Sequence, residues 1–151
     1  MADITKRARK RVAHHLEPGE TVEIAIFVEP RGTYGIGAVA LVVAPRSAAR
    51  KMAERADRAH DEQGGMAAGF PGEPAAIVVT QSRIIVVPTN GIRFGEPALV
   101  VPLGSLLVRS VERRGLAKRM QLVFTDGSMV TVDSQLLQPI DRFADTVGRT
   151  A

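Results

Sequence analysis

The side chains able to do chemistry are few and scattered. The chain has three histidines, His14, His15 and His60, and no cysteine. The lack of cysteine removes a thiol nucleophile, a disulfide scaffold and any cysteine-held metal or cluster. Adjacent helical residues point about 100° apart, so His14 and His15 do not make the i, i+4 clamp of helical metal sites. The G-x-S-x-G, Walker, H-E-x-x-H and calcium-loop patterns do not occur. Asp126 and Asp133 are a pair of carboxylates of the kind that can share acid–base work. Asp126-Gly127, however, is explained as a hairpin turn. Gly35-Ile36-Gly37-Ala38-Val39-Ala40 fits G-x-G-x-x-A, but a dinucleotide site needs that run directly after a strand and opening a helix. Here residues 30–34 intervene and the later strands read as antiparallel hairpins. The expectation is a non-enzymatic protein with no metal, no other cofactor and no small-molecule substrate.

The cations are placed unevenly. The 151 residues carry 20 Lys+Arg against 16 Asp+Glu, a formal charge of +4. Lys6, Arg7, Arg9, Lys10 and Arg11 face only Asp3 within residues 1–16, so this arm holds the whole excess and the rest is formally neutral. A nucleic-acid-binding body would spread its charge over a face, and with no Trp and one Tyr a base-stacking platform is not expected. Nucleic acid therefore ranks last among the partners. The longest apolar run, residues 36–45, is half the length of a membrane span, and no signal-peptide pattern precedes it. A cytoplasmic protein is expected, peripheral to a membrane in the second reading below.

Periodicity supplies the elements that would position these residues. Ile4, Ala8, Val12 and Leu16 form a stripe on an amphipathic helix over residues 1–16, with the cations opposite. Residues 21–29 alternate, with Val22, Ile24, Ile26 and Val28 on one face, and read as a half-buried strand. Residues 30–74 read as an insertion: an apolar run from Ile36 to Ala44, a helix from Ser47 to about Glu62, and a flexible loop over residues 63–72. Hairpin strands follow at 76–80 and 83–88, a short strand at 98–102, and further strands at 106–113, 120–125 and 129–133. In the fifth, Leu106, Val108 and Ser110 alternate with Leu107, Arg109 and Val111. A C-terminal helix begins at Pro139, with Ile140, Phe143, Ala144 and Val147 as its stripe and Gly148 as its stop.

Several of these segments resemble a known family. Leu16-Glu17-Pro18-Gly19-Glu20 is similar to the L-x-P-G-E segment that opens bacterial pleckstrin-homology-like (PH-like) domains of the YokE/GRAM-like kind. Residues 76–87, with Thr80 and Arg83, resemble their hydrophobic-T-x-x-R-hydrophobic hairpin. Residues 100–111 resemble their I-P-containing strand pair, and residues 121–132 their closing hairpin. The resemblance covers residues 16–29 and 75–148, and the insertion departs from it. It implies an α+β fold: a seven-stranded antiparallel bent sheet or partly open barrel with a C-terminal capping helix. The N-terminal helix (residues 1–16) and the partly helical insertion would be additions to a single domain spanning residues 17–148.

Two functions are expected from this. The first is a binding or scaffold module that engages a protein partner or self-associates. Its interface would be Ile36, Val39, Leu41, Val42, Met52 and Ala56, because uncovered apolar patches mark interfaces. Deleting residues 34–72 is then expected to leave a folded domain. The alternative is peripheral attachment to an anionic membrane through Lys6, Arg7, Arg9, Lys10 and Arg11, joined by Arg46, Arg50 and Lys51 at the start of the insertion's helix. In eukaryotic relatives by fold the loop after the first strand supplies cations to lipid phosphates; here that loop is the insertion, and Arg83 begins the third strand. Removing residues 1–15 is expected to abolish that attraction and spare the body.

Overall fold

Tight turns cut the apolar runs into strands. Gln81-Ser82, Gly115-Leu116 and the Asp126–Ser128 turn each reverse the chain, with Gly115 and Gly127 at positive φ where a side chain would be strained. In the computed structural model, which describes residues 4–30, 64–135 and 137–150, the seven strands form one antiparallel sheet. They are β1 (Val22–Pro30), β2 (Ala75–Thr80), β3 (Arg83–Pro88), β4 (Leu99–Pro102), β5 (Leu106–Arg114), β6 (Ala117–Phe124) and β7 (Met129–Gln135). Their order is β4-β3-β2-β1-β7-β6-β5. β1 is the common strand: it pairs with β2 from Val22 to Val28 but with β7 only at Glu29 and Pro30. β4 and β5 lie at the two ends of this order and do not pair, so the sheet stays open. Helix α1 (Thr5–Arg11) precedes it and helix α2 (Ile140–Val147) ends it. This is the α+β architecture expected from the sequence.

Two apolar clusters lie on opposite faces of the first strands. The larger joins Ile24, Ile26, Ile77, Val79, Leu106, Met120, Leu122 and Phe124 to the stripe of α2, with Ile140, Phe143, Ala144 and Val147 all buried. The smaller lies under α1, where Ile4, Ala8 and Val12 cover Val22, Ala25, Phe27, Ala76, Val78, Ile85 and Val87. Strands β2 and β3 are thus covered on both faces, which is why they read as unbroken apolar runs.

Strict alternation fails at two bulges. The register of β1 against β2 shifts between Val22 and Ile24, so Val22 joins Ala25 and Phe27 under α1 and not Ile24 and Ile26. β1 is therefore not half-buried: α1 covers its second face. A second shift falls between Val108 and Ser110, and it turns Val111 toward the core that Leu106 and Val108 line. An extra residue in one strand reverses the phase of every side chain after it.

Side chains take over where β1 parts from β7. Thr5 Oγ1 accepts from Ala25 N at 3.0 Å and donates to Ala25 O at 3.2 Å. Phe27 N donates to Gln138 Oε1 at 3.0 Å, and Phe27 O accepts from Ser134 Oγ at 2.6 Å. Arg9 Nε donates to Val22 O and Arg142 Nη2 to Glu23 O, both at 3.1 Å. An open strand edge otherwise leaves buried amides and carbonyls unpaired, or invites another chain. Both helices thus complete a strand as well as cover a core.

The predicted flexible loop is ordered where it is described. Gly65–Gly69 forms a 3-10 turn, and Ala67 and Phe70 are buried in the larger core. Met66 N donates to Asp126 Oδ2 at 2.7 Å and Ala67 N to Ser128 Oγ at 3.0 Å. Glycine is required at position 65, since φ is +60° and a Cβ would lie 2.6 Å from Asp126 Oδ2. Composition favoured flexibility, but two acceptors on the distant β6–β7 turn hold the segment. The predicted apolar run 36–44 and helix 47–62 fall outside the described residues.

Candidate functional site

The arm's cations divide into two kinds. α1 is short and has no side-chain cap, and its last turn carries Arg9, Lys10 and Arg11, the sign that suits a helix C-terminus. Arg9 is committed to Val22 O, and the Arg7 guanidinium donates to Gly91 O. Lys6, Lys10 and Arg11 are exposed, and no ion pair reaches them among the described residues. Because the apolar stripe is buried in the smaller cluster, it is not available for insertion elsewhere. The helix presents charge from a fixed platform.

The loop that Arg7 holds is itself rigid. Asn90 Oδ1 accepts from Ile92 N and Arg93 N, both at 2.9 Å, and Thr89 Oγ1 bridges Gly91 N at 2.9 Å and Arg93 O at 2.7 Å. This turn presents Ile92 at 66% exposure next to the exposed Arg93. Nothing in the sequence pattern singles out Ile92-Arg93. A second exposed pair, Leu116 and Leu137, at 85% and 76%, lies at the end of the β6–β7 ladder where Ala117 pairs with Gln135. Arg113 and Arg114 are exposed on the adjoining end of β5.

Arg83 is not a surface cation for a ligand. Its Nε donates to Glu20 Oε2 at 2.9 Å, its Nη2 donates to Glu20 Oε1, and Nη2 also reaches His15 O at 3.0 Å. Thr80 Oγ1 and Ser82 Oγ donate to Glu20 Oε2 at 2.8 and 2.9 Å, and Glu17 N donates to Oε1 at 3.0 Å. The guanidinium holds the Glu20 carboxyl far below the usual carboxylate range, against burial, and the other donors add to this. The same bond raises the Arg83 guanidinium. Residues 16–20 and 80–83 therefore meet each other. Their polar residues form a clasp between the arm's exit and the β2–β3 turn.

The two aspartates are separate. Asp133 is buried and bound in bidentate fashion by Arg119, at 2.9 and 3.2 Å, which raises the guanidinium of Arg119. Asp126 is exposed and accepts from Ser128 and Met66; the Ser128 hydroxyl, first among these, lowers its carboxyl. Both are occupied in structural roles. A shallow groove of about 480 Å³ runs past Arg9, Leu16, Glu20, Thr21, Val22 and Glu23. Among the described residues its one lining cation is Arg9, whose Nε donates to Val22 O.

Arg46, Arg50 and Lys51, and the interface residues Ile36, Val39, Leu41, Val42, Met52 and Ala56, lie outside the described residues. Both deletions expected from the sequence are changed by the packing. Removing residues 1–15 would uncover the smaller cluster and the β1 edge. Removing residues 34–72 would take Ala67 and Phe70 out of the larger core. Point substitutions are the appropriate probes. Among the described residues, no helix is long and apolar enough to cross a membrane. No family model, curated protein or solved structure matches the chain.

Proposed function

We propose that this chain is a non-enzymatic PH-like binding module whose target is an anionic membrane surface. The supporting observation is the fixed platform of α1. Lys6, Lys10 and Arg11 are exposed on a helix whose stripe is buried, and Arg7 ties that helix to the turn presenting Ile92 and Arg93. Cations beside one exposed apolar residue suit a headgroup layer: charge draws the protein in, and the side chain enters the boundary. Each basic residue near such a surface contributes about 1 kcal/mol. The triple variant Lys6→Ala, Lys10→Ala, Arg11→Ala is expected to bind anionic vesicles roughly a hundredfold more weakly than wild type. Flotation with anionic and neutral vesicles at low and high salt tests this. Wild-type protein that fails to float with anionic vesicles, or floats equally with neutral ones, would overturn the reading.

A protein partner or a second copy of the chain is favoured by a different observation, the exposed Leu116 and Leu137. If these leucines carry an interface, Leu116→Asp should shift an oligomer to monomer in sedimentation velocity. A wild-type monomer that captures no partner would remove this reading.

A further inference from the structure

The histidines that sequence spacing set aside are brought together with a carboxylate from another part of the fold. α1 ends at Arg11, and a 3-10 turn, Ala13–His15, carries the chain toward β1. Adjacent Cβ atoms diverge on such a turn, but the imidazole rings converge, with centroids 3.8 Å apart and planes inclined by 43°. Glu96 arrives from the β3–β4 connection, and its Oε2 lies 3.6 Å from His15 Nε2. One ligand atom from each of His14, His15 and Glu96 falls within 4.8 Å of the others.

The backbone on both sides is held. His15 N donates to Val12 O at 2.9 Å, and His15 O accepts from Arg83 of the clasp at 3.0 Å. Glu96 is bracketed by Gly95 N bonded to Pro88 O and Ala98 N bonded to Val86 O, both at 2.8 Å. A bridge between Thr89 and Phe94 closes the loop before it. Only the side chains have to adjust to a ligand.

We propose that His14, His15 and Glu96 bind a divalent transition ion of the zinc kind. The ion would clip the end of the N-terminal arm to the β3–β4 connection. Two imidazoles and one carboxylate are the donors such ions take, whereas calcium and magnesium prefer oxygen. Bonds of about 2.05 Å in tetrahedral geometry place ligand atoms about 3.3 Å apart. The His15–Glu96 pair is already near that spacing, and the widest separation has to close by about 1.5 Å. Glu96 is 87% exposed, so the fourth position opens to water and the ion needs no buried path. The site does not depend on the membrane reading, because its ligands are not the cations of α1.

The test is calorimetric titration of the tag-free full chain with zinc chloride, with magnesium chloride as control, together with thermal melts. The expected result is one zinc per chain and a higher melting temperature with zinc, since an ion bound only by the folded state stabilises it. Glu96→Gln alters an exposed side chain without changing its size, so its fold is expected to persist. It and His14→Ala should each weaken zinc binding by about tenfold or more, and His60→Ala should not. No zinc heat from wild type would overturn the proposal. So would binding unchanged by Glu96→Gln and His14→Ala, or binding lost with His60→Ala.

Discussion

Glu20→Gln is expected to destabilise the domain by about 3 kcal/mol at neutral pH, read as a lower midpoint in urea unfolding followed by circular dichroism. Breaking a buried ion pair from one side costs about 3–5 kcal/mol. The lower end applies because the Arg83 side chain keeps 23% exposure while that of Glu20 keeps 3%. Glutamine preserves the shape but turns an amide toward donors from Arg83, Thr80 and Ser82, which leaves some without an acceptor. Removing both charges, Glu20→Met with Arg83→Met, should cost less than the single change, because no unpaired buried charge remains.

The pH dependence has a definite sign. The Glu20 carboxyl is lowered in the folded protein by Arg83, while an unfolded glutamate titrates near 4.3. The stability it supplies is therefore present above about pH 4.3 and lost as pH falls below it. The gap between wild type and Glu20→Gln should narrow progressively as pH falls below about 5 and stay constant above. A gap that does not change with pH would show that shape, and not charge, is what Glu20 contributes. Equal midpoints at neutral pH would remove the clasp altogether.

What was legible in the sequence follows from the range of the forces involved. The β2–β3 and β6–β7 hairpins and the stripe of α2 depend on residues within a few positions of one another, and all appear as expected. The two bulges were not legible, because alternation looks the same until a partner strand fixes the phase. Residues 65–70 contain little but glycine, alanine and methionine before Phe70. Their order comes from Asp126 and Ser128, which no local pattern links to them. The candidate site was legible only as composition. The arm's charge excess was visible, but not that Arg7 and Arg9 are bonded to the body, nor that the turn Arg7 reaches carries the exposed Ile92. Glu96 was invisible as a partner of His15 for the same reason. The arm and the body, separable by charge count, share one apolar cluster.

Phe143→Ala is expected to have the largest effect of any single truncation in α2, about 3–5 kcal/mol. Phe143 is fully buried in the larger core, on a helix that packs against both β1 and β5. No strand is available to close over the space, so the surroundings can relax only partly and a cavity remains. For a chain of this size that loss corresponds to a fall in melting temperature of about 10–15 °C. Phe143→Leu, which keeps most of the volume, should cost less than about 1.5 kcal/mol. Asp145→Ala, on the exposed side of the same helix, should cost less than about 1 kcal/mol. The loss should also be uneven across the fold. α2 runs into Gly148, whose carbonyl accepts from Val108 N at 2.9 Å, and Thr150 N returns to Val108 O at 3.0 Å. The C-terminal residues therefore cover the β5 edge only while α2 stays seated. Hydrogen exchange in Phe143→Ala should accelerate first at Val108 and Thr150, with the β2 amides the last to follow, because β2 is covered on both faces. An unchanged melting temperature would mean that α2 does not plug the open sheet, and uniform acceleration would mean that the β5 edge is not held through α2.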